Sequence, residues 1–266
     1  IYWLAYNLTA SGFNTTPVSS SCGPIMQGTN VNTIGYLKAS PNEQRLACAI
    51  SGDNQFWVFD FNPATGTVSN PIQLTSSPPG GNGAYGVEFS PNSQVLYGSV
   101  EGPPLYLYQW DLSSGNAATI NASRISLNPQ TVGATFSGSL ALAPDGKIYY
   151  TRNTCAYLGA INNPDVVGTG CNFQDSAVFL QGKTCVYGLP NLNQSYYSGS
   201  FQWDKVCLGD STHFEISNTT GILGVVWDFG DPGSGLNNTS NIFNAAHLYT
   251  SPGTYTVQLI KYYLFF

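Results

Sequence analysis

A short turn sequence recurs along the chain and constrains the fold more than any other feature. Ser40-Pro41-Asn42 returns as Ser90-Pro91-Asn92 and again as Ala143-Pro144-Asp145, so the prolines are 50 and then 53 residues apart. An apolar run follows each turn: Arg45–Ile50, Val95–Val100 and Lys147–Thr151. Similarity at a fixed period of this length indicates repeated units that bury their faces against their neighbours.

Each repeat continues into a second run that is compatible with a strand. These runs are Phe56–Phe61, Leu105–Leu112 and Tyr157–Asn162. The amino end carries half of another copy, because Trp3, Gly12 and Pro17 have the spacing of Trp57, Gly66 and Pro71. Four-stranded units of this period are typical of β-propellers. We therefore predict that residues 1–200 form about three and a half blades, the carboxyl-terminal part of a larger propeller. A sandwich of short strands is the alternative, but it does not require copies at one interval.

The repeat stops after Tyr187-Gly188-Leu189-Pro190, and a polar stretch rich in Ser and Tyr follows. Beyond it, apolar residues alternate with polar ones in three runs, around Phe214, Trp227 and Val257. Alternation of this kind predicts half-buried strands. Residues 204–266 are therefore predicted to form a second domain, a small β-sandwich, which makes the chain an all-β protein.

Charge and hydropathy exclude two classes of partner. Only 8% of residues are charged and the net charge is −6, with no run of Lys or Arg that could neutralise a phosphate backbone. We expect no nucleic acid partner. The longest apolar stretches, Ile1–Tyr6 and Tyr262–Phe266, are far shorter than the roughly 20 residues that span a bilayer. We expect no transmembrane segment.

The second domain resembles the PKD family, which has an immunoglobulin-like fold. Three motifs carry the resemblance: Trp227-Asp228-Phe229-Gly230-Asp231-Pro232, His247-Leu248-Tyr249 and Gly253-Thr254-Tyr255-Thr256-Val257. The repeats resemble the propeller-like domain that precedes PKD modules in secreted proteins of Bacteroidota, often substrates of type IX secretion. The motifs that match are Gly35–Pro41, Tyr85–Pro91, Leu142–Tyr149 and Ile161–Pro164. This resemblance implies an extracellular or cell-surface location. The tail Lys261–Phe266 departs from it, being more aromatic than the end of a PKD domain.

The six cysteines are even in number and include no C-x-x-C pair. Disulfides formed in an oxidising compartment are the preferred interpretation, and six buried free thiols in a cytosolic protein are the alternative. The first predicted pair is Cys155–Cys171, since turns between them could bring the ends together. Proximity in sequence then suggests Cys22–Cys48 and Cys185–Cys207.

Three groups of residues could carry chemistry, and each has a simpler structural interpretation. Ser211 and His213 share a strand face, but no Gly-flanked elbow presents the serine. Asp228 and Asp231 could contribute oxygens to Ca²⁺, yet a turn around Gly230 explains them better. His247 is interpreted as a hydrogen-bonding residue at a strand end.

Four carboxylates could in principle serve glycoside hydrolysis, namely Asp60, Glu88, Asp111 and Asp145. They occupy similar places in the repeats, so turn and strand-edge roles explain them more simply than one asymmetric site. The sequence predicts no catalytic residue, no metal site and no cofactor.

Surface modification is a further expectation. Seven asparagines begin an N-x-Ser/Thr triplet: Asn7, Asn14, Asn121, Asn193, Asn218, Asn237 and Asn238. The Bacteroidota resemblance instead implies O-glycosylation after Asp, at Ser176 and Ser211.

We interpret the chain as a non-catalytic structural or adhesive surface protein, a subunit of a surface assembly or filament. The alternative is a secreted protein that binds or processes glycans in a pocket completed by further blades. Other copies, or the remainder of the same polypeptide, are predicted to cover the terminal strands Ile1–Tyr6 and Tyr262–Phe266, because exposed strand edges recruit another strand. Surface glycans are the other predicted partner.

Overall fold

The computed structural model describes residues 2–9, 12–25, 30–76, 83–102, 104–127, 136–191, 201–216, 219 and 222–263. Two compact units divide the chain, residues 1–195 and residues 196–266. Within the described residues no helix is long and apolar enough to cross a bilayer.

Short antiparallel strands build the first unit. They are β1 (Tyr2–Ala5), β2 (Leu8–Thr9), β3 (Gly12–Phe13), β4 (Val18–Ser21), β5 (Leu37–Ala39), β6 (Arg45–Ile50), β7 (Gln55–Asn62), β8 (Thr67–Leu74), β9 (Ala84–Phe89), β10 (Val95–Val100), β11 (Tyr106–Asp111), β12 (Ile125–Ser126), β13 (Ser137–Leu142), β14 (Ile148–Arg152), β15 (Tyr157–Ile161) and β16 (Phe173–Phe179).

Successive strands pair as neighbours in three four-stranded sheets. Blade 1 is β5 to β8, blade 2 is β9 to β12 and blade 3 is β13 to β16. β1 pairs with β4 in a two-stranded sheet, the partial blade, and β2 pairs with β3 in the hairpin between them. The sheets follow the fifty-residue period, so the predicted all-β class and its repeating blades are confirmed.

The recurring turn is closed by its own side chains. In blade 1 the Ser40 hydroxyl donates to the Asn42 side-chain oxygen (2.7 Å) and accepts the amide of Arg45 (2.9 Å). Ser90 and Asn92 repeat the arrangement in blade 2, with distances of 2.8 and 2.9 Å. The residue after each Asn or Asp has positive φ: Glu43 (60°), Ser93 (63°) and Gly146 (77°). This local chemistry explains why the motif stands just before the second strand of each blade.

The turns also connect one blade to the next. The amide of Asn42 donates to the Ser93 hydroxyl in the turn of blade 2 (3.1 Å). The amide of Asn92 donates to the Asp165 carboxylate in blade 3 (2.9 Å). Gly146, which stands where Ser93 does in the preceding repeat, has no side chain to accept such a bond.

Apolar layers lie between consecutive sheets. Phe56 of blade 1 packs on Trp110 of blade 2, with ring centroids 5.3 Å apart, in a cluster that also contains Phe89 and Leu96. Tyr97, Leu107 and Tyr150 belong to a second cluster between blades 2 and 3. Trp3 of the partial blade packs edge-on against Phe59 at 4.9 Å. Each sheet is therefore buried by its neighbours, as expected for propeller blades.

After β16 the chain returns to the first strands of the blades. Residues 185–191, the inner segment, lie beside β13: Tyr187 accepts the amide of Ser139 (2.8 Å) and Leu189 donates to the Ser139 hydroxyl (2.6 Å). The Tyr36 hydroxyl donates to the carbonyl of Leu189 (3.3 Å). The inner segment thus joins blade 3 to blade 1.

Helical structure is sparse in the described part of the chain. One short helix, α1 (Ala117–Ala122), begins after Asn116, whose side chain caps the amides of Ala118 and Thr119. Three 3₁₀ turns are present at Asn30–Thr33, Gly168–Cys171 and Pro232–Asn238. This agrees with the predicted all-β class.

The second unit is a β-sandwich. Its strands are β17 (Phe201–Asp204), β18 (Ser211–Ile216), β19 (Ile222–Asp228), β20 (Thr239–Ser240), β21 (Ala245–Leu248) and β22 (Gln258–Tyr263). One sheet has the order β17-β18-β21 and the other β20-β19-β22. Trp227 is fully buried between Phe201 and Phe214 and donates to the carbonyl of Ile242 (2.8 Å). The first strand begins at Phe201, three residues before the predicted domain start. Lys261–Tyr263 complete β22, and residues 264–266 lie outside the described residues.

Candidate functional site

A cavity of about 560 Å³ opens in the second unit. One wall comes from β17 and the loop before β18, and the other from the segment between β21 and β22. The lining residues are Phe201, Trp203, Val206, Cys207, Leu208, Asp210, Thr212, Phe214, Tyr249, Ser251, Pro252, Gly253, Tyr255 and Val257. We call this cavity the aromatic groove.

Alternation along the strands decides which residues reach the groove. β18 alternates exposed and buried positions, so Thr212 and Phe214 face inward. On β17, Phe201 packs against the buried Trp227 (5.0 Å), whereas Trp203 is 61% exposed and its centroid lies 6.0 Å from that of Phe201. The groove therefore has a buried aromatic base and an aromatic ring open to solvent at its rim.

Two tyrosines form the opposite wall. The rings of Tyr249 and Tyr255 lie 4.0 Å apart. The Tyr249 hydroxyl donates to the carbonyl of Phe229 (2.8 Å), and the Tyr255 hydroxyl donates to that of Ser251 (2.7 Å). Burial, together with the nearby carboxylate of Asp231, raises the pKa of Tyr249 to about 12. Both hydroxyls are engaged within the domain, so these residues present their rings to the groove.

The polar groups of the groove are few. The amide of Asp210 donates to the carbonyl of Cys207 (3.1 Å) and closes the turn before β18. Asp210 and Thr212 both line the groove. Aromatic planes with one carboxylate can hold a ligand that has an apolar face and hydroxyl groups at its edge. The rings bury the apolar face, and the carboxylate accepts hydrogen bonds from the hydroxyl groups.

Ser211 and His213 do not form a nucleophile and base in this fold. Both lie on the exposed face of β18 as predicted, but His213 pairs with Asp204 on the neighbouring strand, at 3.3 Å. The pair is half exposed on both sides, so it contributes at most a weak surface interaction.

Asp228 and Asp231 close the turn that the sequence predicted. Asp228 accepts the amide of Gly230 (2.9 Å) and the side-chain amide of Asn238 (2.9 Å). Asp231 contacts Nε2 of the buried His247 (3.0 Å), whose ring stacks on Phe229. The predicted turn around Gly230 is present, and His247 is hydrogen-bonded at the end of its strand as expected.

The propeller carboxylates also make structural bonds. Asp60 accepts from the side chain of Asn70 (2.6 Å), Asp111 from the amide of Ser113 (2.9 Å), and Asp145 from the amide of Lys147 (3.2 Å). Glu88 is fully buried in an ion pair with Lys38. Asp60, Asp111 and Asp145 have turn or strand-edge positions as the repeat suggested, whereas Glu88 lies in the core and links two blades through Lys38.

A second aromatic cluster was missed in the sequence. The rings are, in order of contact, those of Tyr36, Tyr85, Tyr187 and Phe136, with successive centroids 5.5 to 5.9 Å apart. Beside them, the Ser51 hydroxyl donates to Glu101 (3.4 Å), and burial raises the pKa of Glu101 and of Tyr85. The signal was available, because a Tyr adjacent to Gly recurs at the start of the first strand of successive repeats.

The glycosylation candidates differ in exposure. Ser176, Ser211, Asn7, Asn14 and Asn237 are exposed. Asn121 is a poor candidate, because its side chain accepts the amide of Thr75 (2.7 Å) and donates to the carbonyl of Gln73 (3.0 Å).

Asn238 is held in the same way, by Asp228 and by the amide of Asp231. Asn193 and Asn218 lie outside the described residues.

All six cysteines lie among the described residues, and no disulfide joins them there. Cys155 lies just before Tyr157, at the end of the β15–β16 pair where Tyr157 faces Phe179. Cys171 lies at the opposite end of this pair, next to Phe173. The predicted Cys155–Cys171 pairing is therefore corrected, because the length of a strand separates the two residues.

The other two predicted pairs have a different placement. Cys22 and Cys48 belong to one apolar cluster, where burial raises the pKa of Cys48 to about 12. Cys22 directs its thiol to the carbonyl of Val68 at 3.5 Å. Cys185 and Cys207 lie in separate units.

Comparison with known proteins identifies the second unit. Residues 201–261 match the PKD domain family, so the chain ends in a PKD β-sandwich. PKD domains are typical of extracellular proteins. No curated protein sequence matches the chain.

Solved structures resemble the blades at low sequence identity. A putative 6-phosphogluconolactonase from Bacteroides fragilis has 13% identity and a TM-score of 0.50, with 97% of this chain and 67% of that chain covered. An auxiliary nutrient binding protein from Bacteroides ovatus has 17% identity and a TM-score of 0.38, with coverages of 93% and 47%. The PQQ domain of pyranose dehydrogenase from Coprinopsis cinerea has 15% identity and a TM-score of 0.39. The alignment covers 56% of this chain and 38% of that chain. The likeness to the first supports the propeller-like fold.

Proposed function

We propose that the chain is a non-catalytic adhesive module of a secreted or cell-surface protein, and that it binds saccharide through the aromatic groove. The observation that carries this proposal is the groove itself, which is lined together by the exposed ring of Trp203, the paired rings of Tyr249 and Tyr255 and the Asp210 carboxylate. A large exposed aromatic residue at the rim of a cavity favours an interaction site.

Saccharides fit the chemistry of this groove. The C–H face of a pyranose ring is apolar and matches an aromatic plane, while its hydroxyls require acceptors such as a carboxylate. A peptide or lipid ligand would be better served by a continuous apolar lining or by several charges. Glycan binding is therefore the adhesive mode that the groove supports best.

The bonding of the carboxylates supports a module without catalysis. The four propeller carboxylates that could have served hydrolysis are each held by a hydrogen bond or an ion pair, in a turn for Asp111 and Asp145, between neighbouring strands for Asp60 and between blades for Glu88. An extracellular setting is consistent with the PKD domain, and export by type IX secretion stays a prediction.

A glycan microarray followed by calorimetry tests the proposal. We expect specific saccharide binding by the full chain, with an affinity at least about tenfold weaker in Trp203→Ala, since aromatic anchors contribute most of such binding. Tyr262→Ala is the matched control, because Tyr262 is an exposed aromatic residue outside the groove. Equal loss in the control, or unchanged binding by Trp203→Ala, would reject the groove as the site. Saccharide turnover that an Asp or Glu substitution abolishes would reject the non-catalytic role.

We also propose that strand addition provides protein partners. β1 pairs with β4 along one edge, and Tyr2 and Leu4 on it are 78% and 55% exposed. An exposed edge of this kind accepts a further strand, from another copy or from the same polypeptide. Light scattering on the chain and on Leu4→Lys would show self-association that the charge abolishes. A concentration-independent monomer would exclude addition between copies.

A further inference from the structure

Cys155 and Cys185 lie opposite one another in blade 3. The amide of Cys185 donates to the carbonyl of Cys155 (2.7 Å), and the amide of Thr154 donates to the carbonyl of Cys185 (3.0 Å). Thr154 has a φ of 69°. Thr154 and Cys155 therefore both oppose Cys185, and Thr154 has a left-handed backbone conformation. This arrangement is a β-bulge. Cys185 is thus paired with the bulge that precedes β15.

Residues that oppose each other in an antiparallel ladder have their side chains on the same face. Residues directly opposed in such a ladder have Cα atoms about 5.5 Å apart, within the range that a disulfide spans. The thiol of Cys185 contacts the carbonyl of Tyr157 (3.3 Å), two residues beyond Cys155. Both cysteines are buried, with 7% and 6% exposure.

We propose that Cys155 and Cys185 form a disulfide bond that joins blade 3 to the inner segment. The two thiols release two protons and two electrons, and a disulfide oxidant such as glutathione disulfide takes them up to give two glutathione thiols. The exchange passes through a mixed disulfide at one cysteine, which the second thiolate then displaces.

Burial raises the pKa of the Cys185 thiol. Because the thiolate is the nucleophile, exchange is slower in the folded protein than in the unfolded chain. The bond therefore forms as the chain folds in an oxidising compartment.

The bond would reinforce a segment that otherwise depends on a few hydrogen bonds. The inner segment is held by contacts of Tyr187 and Leu189 with Ser139, and by the hydroxyl of Tyr36. A crosslink at its first residue fixes the position from which these contacts begin. It also closes the loop that contains β15 and β16.

Disulfide mapping of the wild-type chain tests the inference without any substitution. The reduced, denatured chain is refolded with reduced glutathione and glutathione disulfide, alkylated, and digested with chymotrypsin. We expect a peptide pair linked through Cys155 and Cys185, and four alkylated cysteines among the six. Six alkylated cysteines, or Cys155 linked to any other cysteine, would overturn the proposal.

Variants add a measure of the effect on stability. Reduction should lower the thermal midpoint of the wild type by about 5–10 °C, and the doubly substituted Cys155→Ser, Cys185→Ser chain should not respond to reduction. Cys207→Ser is the matched control, because Cys207 is exposed in the second unit and should leave the response intact. A reduction-sensitive midpoint in the double variant would assign the effect to another pair.

Discussion

The Lys38 ammonium lies 2.9 Å from the Glu88 carboxylate, and solvent reaches 2% and 0% of the two side chains. The carboxylate also accepts the amides of Phe89 (3.1 Å) and Leu142 (3.0 Å). Lys38 belongs to blade 1, Glu88 to blade 2 and Leu142 to blade 3. One carboxylate therefore links three consecutive blades at their first strands.

Replacing Lys38 by Met should lower the free energy of unfolding by about 3–5 kcal/mol near pH 7, because it leaves the buried carboxyl group of Glu88 without its cation. Lys183→Met is the control, since Lys183 is exposed, and should change stability by less than about 0.5 kcal/mol. Urea denaturation monitored by tryptophan fluorescence measures both. Equal effects in the two variants would contradict a structural role for the ion pair.

The deficit of Lys38→Met should shrink as the pH falls. Burial raises the pKa of Glu88, opposed by Lys38 and by two amides, so removal of Lys38 raises it further. Between the unfolded value of about 4.3 and the raised folded value, the folded chain binds more protons than the unfolded chain. Stability therefore falls as the pH rises through that window. Urea midpoints of wild type and variant between pH 4.5 and pH 8 should diverge towards high pH, and parallel curves would exclude this titration.

Glu43→Gly should stabilise the chain by about 0.5 kcal/mol. Glu43 has positive φ, which costs about 1–2 kcal/mol for a residue with a Cβ, whereas the greater freedom of glycine in the unfolded chain costs about 0.5–1 kcal/mol. Gly146→Ala is the reciprocal change in blade 3 and should destabilise. No atom lies within 4 Å of the added Cβ there, so the effect isolates the backbone term. Thermal midpoints that move in the same direction for both variants would refute this account.

Tyr249→Phe should cost about 1 kcal/mol, because it leaves the carbonyl of Phe229 without the bond at 2.8 Å. Tyr255→Phe removes a bond of similar length to the exposed carbonyl of Ser251, which water can replace, and should cost less than about 0.5 kcal/mol. Calorimetric unfolding of the two variants compares a buried acceptor with a solvated one. The reverse order would show that Tyr249 contributes through its ring alone.

The blades could be predicted because their information is local. Ser40, Asn42 and the residue with positive φ all lie within four positions, and the apolar run after each turn became a strand with the predicted bounds at Arg45–Ile50 and Val95–Val100. The motifs of the PKD domain are equally compact.

Contacts between distant residues could not be predicted. Trp203 on β17 and Tyr255 in the segment between β21 and β22 reach one groove only because the folded sandwich brings these two parts of the chain together. The turns between them suggested that Cys155 pairs with Cys171, but the chain passes through a complete hairpin and returns with Cys185 beside Cys155. No sequence interval specifies such a return, since it depends on where the inner segment packs.

The turn contacts also bear on how such a protein can be rearranged in evolution or by recombination. In blade 2 the Ser93 hydroxyl accepts the amide of Asn42. In blade 3 the turn holds Gly146 in place of Ser93, and the Asp165 carboxylate accepts the amide of Asn92 instead. The donor is a backbone amide in each turn and the acceptor belongs to the receiving blade, so each repeat carries its own acceptor. Exchanging the second and third repeats would therefore still offer an acceptor to each amide, and recombination between repeats would preserve the contacts between successive turns.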